Sequence, residues 1–237
     1  METAVATPFL SLSIPSDAHV EHRENMLLIT KWNWDYQDYL NFQQQAKELV
    51  QKNRKIKIFI FCNHPHVFTL GRGNERGHDE LVTFSEQLVS ILKYPVHKIH
   101  RGGGITFHYP GQWIFYPIVA INANYSLDDH MCWLLRSVKE TLASTFGISD
   151  LLATKKLMGI WHNKRKLASI GVGVNRFVTE HGLALNLKHD SEMFTELKKI
   201  SPCGMSSETY QSVDKVVGTQ SEDMIKDFHE SFIKIFI

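Results

Sequence analysis

The sequence has few cysteines, no excess of charge of either sign and no apolar run of membrane-spanning length. Three scattered cysteines in 237 residues are too few for a disulfide framework. Lysine and arginine (26) nearly balance aspartate and glutamate (25), so bulk charge does not favour nucleic-acid binding. The N-terminus lacks the basic and apolar regions of a signal peptide. We therefore expect a cytoplasmic protein that binds neither nucleic acid nor membrane.

Signals that divide a chain into domains are also missing. There is no internal repeat, low-complexity tract or Gly/Ser linker, and the hydrophobic content of 43% is sufficient for a sizeable core. We expect a single domain over residues 1–237, which is long enough to be a catalytic domain. Two short polar stretches, GRGNERGHDE (residues 71–80) and SSETYQSVDK (residues 206–215), are interpreted as surface loops within it.

Helical periodicity is clearest in three segments. In residues 35–52, apolar residues recur at helical spacing, and glutamine and lysine are placed on the opposite, solvent-facing side. Ser126 followed by Asp129 predicts a capping box, and Gly147 occupies the place where such a helix ends. The tail, residues 221–237, is amphipathic, and a shorter helix is expected near residues 85–93.

The remaining apolar stretches predict strands. They are rich in aromatic and β-branched residues, and the polar HNKRK between two of them indicates a hairpin turn. The predicted fold class is α+β, with a mixed β-sheet covered by helices. The segments are KIKIFIFCNHPHVFTLG, PVHKIHR, WIFYPIVA, LMGIWH, KLASIGVGV and GLALNL.

A glycine-rich segment, RGGGITFHYPGQ (residues 101–112), is the first candidate binding site. Consecutive glycines allow close approach to the backbone and leave N–H donors available to a ligand. Between Arg101 and His108, such a loop suits an anionic or carbonyl-bearing ligand, although a simple glycine-rich turn also explains it. Neither this segment nor GRGNERG fits a P-loop or dinucleotide fingerprint, which argues against a nucleotide enzyme.

Three possible metal ligands follow one predicted strand. Cys62, His64 and His66 alternate along an extended segment, and zinc accepts both residue types. They are too close in sequence to chelate easily, and no fourth ligand cluster is evident. We favour no metal here, with zinc binding as an open alternative.

The third candidate combines Cys203 with Lys166. Cys203 lies between Pro202 and Gly204, a triplet that predicts a rigid turn holding one thiol at a fixed angle. Lys166 opens an apolar strand, where burial and neighbouring cations can lower the pKa of a lysine. An adjacent ammonium would stabilise a thiolate. The alternatives are a buried packing cysteine and a solvated basic hairpin.

Taken together, four motifs closely resemble those of the lipoyl(octanoyl) transferases. RGGGITFHYPGQ, KLASIG, HGLALNL and PCGM occur in that family's order and separations, and the resemblance spans residues 64–205. It implies a fold similar to the biotin protein ligase and lipoate ligase catalytic domains. It also implies the family's reaction, transfer of an octanoyl group from octanoyl-acyl carrier protein to a lysine of a lipoyl domain.

The same resemblance implies roles for individual residues. Cys203 matches the nucleophile that carries the acyl thioester, and Lys166 matches the lysine that tunes it and shuttles protons. Two departures, Gly104 and Tyr109, leave the acyl chain-length preference open. The implied substrate contacts are Arg101, Gly102, Gly103, Gly104, Ile105, Thr106, Phe107, His108, Ala168, Ser169, Ile170, His181, Gly182 and Leu183.

The implied partners are octanoyl-acyl carrier protein as donor and lipoyl domains as acceptors. The acceptors would be those of 2-oxoacid dehydrogenases and the glycine cleavage H protein. Conversion of a thioester to a thioester and then to an amide is downhill, so no cofactor is expected. Two other classes stay open: an ATP-dependent lipoate or octanoate ligase of the same fold, and a non-catalytic acyl-binding protein.

Overall fold

In the described part of the chain, groups of consecutive strands are separated by helices, which is an α+β arrangement. The computed structural model describes residues 8–72, 90–154, 158–200, 206–218 and 223–237. Within these ranges, none of the helices is long and apolar enough to cross a membrane. The α-helices there are α1 (Tyr36–Lys52), α2 (Leu127–Phe146), α3 (Ser191–Leu197), α4 (Val213–Val217) and α5 (Met224–Phe236), and residues Ser207–Thr209 form a 3₁₀ turn.

Eleven strands in the described ranges form two sheets. The larger sheet has eight strands in the order β1-β2-β3-β7-β11-β10-β9-β8, with β2 and β3 parallel and the other neighbours antiparallel. The smaller sheet has the order β5-β4-β6. The strands are β1 (His19–Arg23), β2 (Met26–Lys31), β3 (Lys57–Cys62), β4 (Val67–Leu70), β5 (Val96–Lys98), β6 (Ile105–His108), β7 (Gln112–Ile118), β8 (Leu151–Thr154), β9 (Gly159–His162), β10 (Arg165–Asn175) and β11 (Val178–Asn186).

The central strands of the larger sheet are buried on both faces. In β3 and β7, Phe59, Phe61 and Phe115 point to the face covered by α2 and α5. Ile58 and Ile60 alternate with them and pack on the opposite face beneath α1. Near-continuous apolar runs are typical of strands with two covered faces. The predicted α+β fold with a mixed, helix-covered sheet is confirmed.

Helix ends follow the local signals in the sequence. The Asp35 carboxylate accepts the N–H groups of Gln37 and Asp38 at the start of α1. Ser126 and Asp129 form the predicted capping box of α2, which ends at Gly147 with a φ of 66°. These caps satisfy backbone groups that a helix end leaves unpaired.

Several other expectations were wrong or incomplete. Residues 206–215 are not a surface loop, because they include the 3₁₀ turn and part of α4, and Ser212 and Val213 are buried. The strands β1, β2 and β8 were missed. The helix expected at residues 85–93 lies largely outside the described residues, and its described end is not helical.

Candidate active site

A narrow cavity lies where the glycine-rich segment meets strands β10 and β11. Eight of the fourteen predicted substrate contacts line it: Arg101, Thr106, His108, Ser169, Ile170, His181, Gly182 and Leu183. We call it the first cavity.

A second cavity adjoins the first. Both are lined by Thr106 and Ser169, so they meet at these two side chains. Phe107, another predicted contact, lines the second cavity together with Met193 and Leu197 of α3. Both cavities therefore combine polar groups with apolar side chains on their walls.

The other predicted contacts line neither cavity. Ile105 is buried in the core of the smaller sheet and Ala168 in that of the larger sheet. Gly102 lies on the larger sheet, where its backbone N–H donates to the Val172 carbonyl at 3.1 Å. The remaining two, Gly103 and Gly104, are part of the same turn.

Glycines on β10 allow this close approach. A Cβ atom at Gly173 would lie 2.1 Å from the His100 carbonyl oxygen, and one at Gly171 would lie 3.0 Å from Cδ of Arg101. Since no side chain fits in such a gap, glycine is required for the loop to lie against the strand. The predicted loop is only partly irregular, because Ile105–His108 form β6 and pair with β4.

Arg101 fastens the loop to the smaller sheet. Its Nη2 donates to the Thr69 carbonyl at 2.9 Å, to the Thr69 hydroxyl at 2.8 Å and to the Thr106 hydroxyl at 2.9 Å. Its Nη1 donates to the Gly102 carbonyl at 2.9 Å. The guanidinium is buried and borders the first cavity, so it supplies a fixed positive charge there.

His108 is held as a neutral imidazole. The Gln112 amide donates to Asn186 at 3.0 Å, which leaves its oxygen to accept the Nδ1–H of His108 at 2.9 Å. Burial, and then the nearby His64, lower the pKa of His108 to about 3. His181 is likewise neutral, because burial and the charge of Arg101 hold its pKa well below the usual value.

Lys166 is buried on β10 and does not belong to a solvated hairpin. Its Nζ lies 5.5 Å from the centre of the Trp161 ring, and a Cβ at Gly159 would approach its Cε to 2.8 Å. The hairpin turn falls at Asn163 and Lys164, both with positive φ. The turn was correctly predicted, and the solvated alternative for Lys166 is wrong.

Cys203 lies outside the described residues, so its geometry is not part of the structure. The segments on either side of it are described. Ile200 packs in the core of the smaller sheet. Tyr210 forms a backbone β-bridge with Lys166 and lines the second cavity.

Sequence reasoning missed Tyr36, which lines the first cavity from the start of α1. Its hydroxyl is buried and has no hydrogen-bond partner among the described residues. Burial raises the pKa of Tyr36, so the hydroxyl keeps its proton and can donate it to a ligand. The position carries no motif signal, since it depends on how α1 packs.

The possible zinc ligands do not converge on one point. Cys62 Sγ lies 3.7 Å from Nε2 of His64, whose Nδ1 contacts the Trp34 carbonyl at 2.7 Å. His66 instead bonds Asp190 at 3.0 Å. Throughout the described part of the chain, no three or more His, Cys, Asp or Glu side chains are grouped to hold a metal.

The two departures from the family pattern do not line either cavity. Tyr109 is fully buried in the core of the smaller sheet, where its ring is stacked with that of Phe107. Gly104 is buried too, and its carbonyl accepts the N–H of Gly71 at 3.1 Å. Any influence of these residues on the cavities is therefore indirect.

The fold is that of the lipoate protein ligases. The chain is similar to Plasmodium falciparum LipL1, a structure in complex with lipoate, with a TM-score of 0.61 and 12% identity over 89% of this chain and 60% of that one. A bipartite lipoate protein ligase from Thermoplasma acidophilum has a TM-score of 0.57 and 14% identity, over 91% and 84% of the two chains. At such identities the likeness concerns the fold.

Sequence comparison identifies the family. The model of the lipoyl protein ligase A/B catalytic domain matches residues 32–237. An octanoyltransferase of Cytophaga hutchinsonii is 33% identical over 211 residues, covering 82% of this chain and 83% of that protein. Another, from Christiangramia forsetii, is 33% identical over 220 residues, covering 87% and 89%. The chain belongs to the lipoyl protein ligase A/B catalytic domain family.

Proposed function

We propose that this protein is an octanoyltransferase of protein lipoylation, which moves an octanoyl group from octanoyl-acyl carrier protein to a lysine of a lipoyl domain. Octanoyltransferase relatives align with more than four-fifths of the chain, which supports the activity and its class, an acyltransferase. The acceptors are proposed to be lipoyl domains of 2-oxoacid dehydrogenases and the glycine cleavage H protein.

The observation that carries the mechanism is the burial of Lys166 on β10, where its backbone pairs with that of Tyr210, which lines the second cavity. A lysine side chain removed from solvent and held over an aromatic ring is poised for chemistry rather than for solubility. The segment containing Cys203 ends a few residues before Tyr210. We assign Cys203 as nucleophile and Lys166 as the group that receives and returns its proton.

The first half-reaction loads the enzyme. The Cys203 sulfur, its proton transferred to Lys166, attacks the thioester carbonyl of the donor, and a new C–S bond forms. Backbone N–H groups near the turn stabilise the oxyanion. The intermediate collapses, the old C–S bond breaks, and the departing carrier thiolate takes the proton back from Lys166.

The second half-reaction makes the amide. The lysine amine of the lipoyl domain attacks the Cys203 thioester, gives up a proton to Lys166 and expels the Cys203 thiolate. No ATP is consumed, because the energy of the donor thioester is retained until the amide forms. The octanoyl tail, at about 0.8 kcal/mol per buried methylene, contributes about 5 kcal/mol of binding.

An ATP-dependent ligase is the second candidate, since the structures with the same fold are lipoate ligases. Purified protein would be incubated with octanoyl-acyl carrier protein and an unmodified lipoyl domain, without ATP. Addition of one octanoyl mass to the lipoyl domain supports the transferase. Modification only with free octanoate and ATP, with release of pyrophosphate, supports the ligase, and binding without modification supports an acyl-binding protein.

A further inference from the structure

Helix α1 buries two polar side chains against the strand that carries His181. Gln43 and Lys47 are spaced four residues apart and are 4% and 8% exposed. The sequence pattern predicted that the glutamines and lysines of this helix face solvent. That prediction is wrong for Gln43 and Lys47. Buried polar side chains require partners. Here the partners lie on β11, apart from Tyr39 of the same helix.

The Gln43 side-chain oxygen accepts two hydrogen bonds at once. The backbone N–H of His181 donates to it at 2.9 Å, and the Tyr39 hydroxyl donates to it at 2.5 Å. The Tyr39 ring stacks on Tyr116 with their centres 4.5 Å apart, and Tyr116 lines the first cavity. One amide oxygen thus connects a backbone group and an aromatic wall of the same cavity.

His181 needs this support because its backbone is strained. Its φ is 59°, in the left-handed region that non-glycine residues rarely adopt. His181 is buried and lines the first cavity beside Gly182. Without an acceptor, its buried N–H would lose its hydrogen bond, and the strand would relax toward ordinary extended geometry.

The neighbouring ion pair secures the adjacent residue of β11. Lys47 donates to the Glu180 carboxylate, and both side chains are almost fully buried. This pair neutralises the charges of α1 and β11 next to Gln43, so the amide oxygen has no uncompensated anion beside it. The contact between α1 and β11 therefore has two parts. The Lys47–Glu180 pair neutralises charge, and the Gln43 oxygen accepts the hydrogen bond from His181.

We propose that Gln43 is a positioning residue, which holds His181 in the left-handed geometry that shapes the acyl-binding cavity. The acyl assignment rests on the proposed octanoyl transfer. Gln43 itself lies behind the cavity wall and does not line it. Its loss should therefore change how well the donor is used more than whether the protein folds.

The test compares Gln43→Leu, which removes the acceptor, with Gln43→Glu, which keeps an oxygen in reach of both donors. We expect kcat/KM for octanoyl transfer to fall at least tenfold in Gln43→Leu and to return to within about threefold of wild type in Gln43→Glu. Amide hydrogen exchange should accelerate in the peptide covering residues 178–186 of Gln43→Leu, with little change elsewhere. If Gln43→Leu does not fold, Gln43→Asn, whose oxygen falls one methylene short, takes its place.

Two controls separate positioning from stability. Gln45→Leu removes an acceptor from the same helix, where Gln45 bonds the Ser13 N–H at the surface, and should leave kcat/KM within twofold of wild type. Leu142→Ala on α2 lowers stability from the other face of the larger sheet and should also retain activity.

The proposal is overturned if Gln43→Leu stays within twofold of wild type, if Gln43→Glu is as impaired as Gln43→Leu, or if Leu142→Ala loses as much activity at an equal loss of stability. Absence of octanoyl transfer by the wild type would instead contradict the proposed function, and the exchange measurement would still report on the bond between Gln43 and His181.

Discussion

Lys166 shows what local sequence can and cannot reveal about a single residue. Its place at the start of an apolar strand was predictable, because HNKRK is a polar turn between two apolar runs. Its burial over Trp161 was not, since it depends on Gly159 of the neighbouring strand leaving room for the side chain. The roles of Lys166 and Cys203 remain predictions drawn from the family resemblance.

Replacing Lys166 with methionine should abolish most octanoyl transfer while the protein stays folded. Methionine fills a similar volume without the ammonium that stabilises a thiolate. We expect the apparent pKa for alkylation of Cys203 to rise relative to wild type, as measured by the pH dependence of iodoacetamide labelling of the peptide that contains it. An unchanged profile would mean that Lys166 does not tune the thiol.

Tyr36→Phe should weaken binding of the octanoyl donor without lowering the stability of the protein. The Tyr36 hydroxyl lines the first cavity and has no partner among the described residues. Its removal therefore costs no internal hydrogen bond, and the thermal midpoint should stay constant or rise slightly. We expect KM for the octanoyl donor to increase several-fold. A fall in stability with unchanged KM would show that the hydroxyl has a structural role instead.

At the scale of elements, capping signals were more informative than composition. The capping box of Ser126 and Asp129 predicted the start of α2 and Gly147 predicted its end, because these signals act within one helical turn. The smaller sheet was not predicted as a separate sheet, although PVHKIHR contains β5, because β4, β5 and β6 have only three or four residues each and pair with strands that are distant in the sequence. Three glycines suggested that residues 101–112 were one loop, although Ile105–His108 form a strand between two irregular parts.

Two glycine-to-alanine substitutions test the docking of that loop. In Gly173→Ala, the new Cβ would lie 2.1 Å from the His100 carbonyl oxygen, so the loop must move away from β10. We expect transfer activity to fall more than tenfold.

The matched substitution is Gly147→Ala, where nothing lies within 4 Å but φ is positive. It should cost about 1 kcal/mol, or roughly 2–4 °C in the thermal midpoint, without loss of specific activity. Equal activity of the two variants would contradict the proposed importance of the close approach between loop and strand.

At the scale of the whole molecule, the core contains several histidines that stay neutral. Burial lowers the pKa of His64 and of His130 to about 4, as it does more strongly at His108 and His181. The sequence contains 13 histidines and does not indicate which are buried. A single domain over residues 1–237 should unfold in one cooperative transition. Denaturation at neutral pH would test this prediction.

Stability should therefore fall as the pH is lowered from about 6.5 toward 4. In that window these histidines bind protons in the unfolded chain but not in the folded one, so acidification favours unfolding. Each contributes about 1.4 kcal/mol per pH unit once its unfolded form is fully protonated. Urea midpoints at pH 7, 6 and 5 would measure the effect.

His130 provides the control for this pH dependence. It lies on α2, outside both cavities, so His130→Gln should reduce the slope of stability against pH by roughly one proton without loss of transfer activity. An unfolding midpoint that does not change from pH 7 to pH 5 would show that the buried histidines are not neutral.

The covalent intermediate on Cys203 is the central claim, and intact-protein mass spectrometry after incubation with octanoyl-acyl carrier protein alone tests it most directly. The other cysteines are internal controls, since Cys62 is buried and Cys132 is exposed. Because Cys132 is exposed, it is the stronger control against non-specific acylation.

We expect one octanoyl mass on the wild type, mapped to the peptide containing Cys203 and released by hydroxylamine as a thioester. Cys62→Ala and Cys132→Ala should keep the adduct, and Cys203→Ala should lose both the adduct and transfer to the lipoyl domain. Full transfer activity in Cys203→Ala, or an adduct that maps to Cys132, would contradict the proposed mechanism.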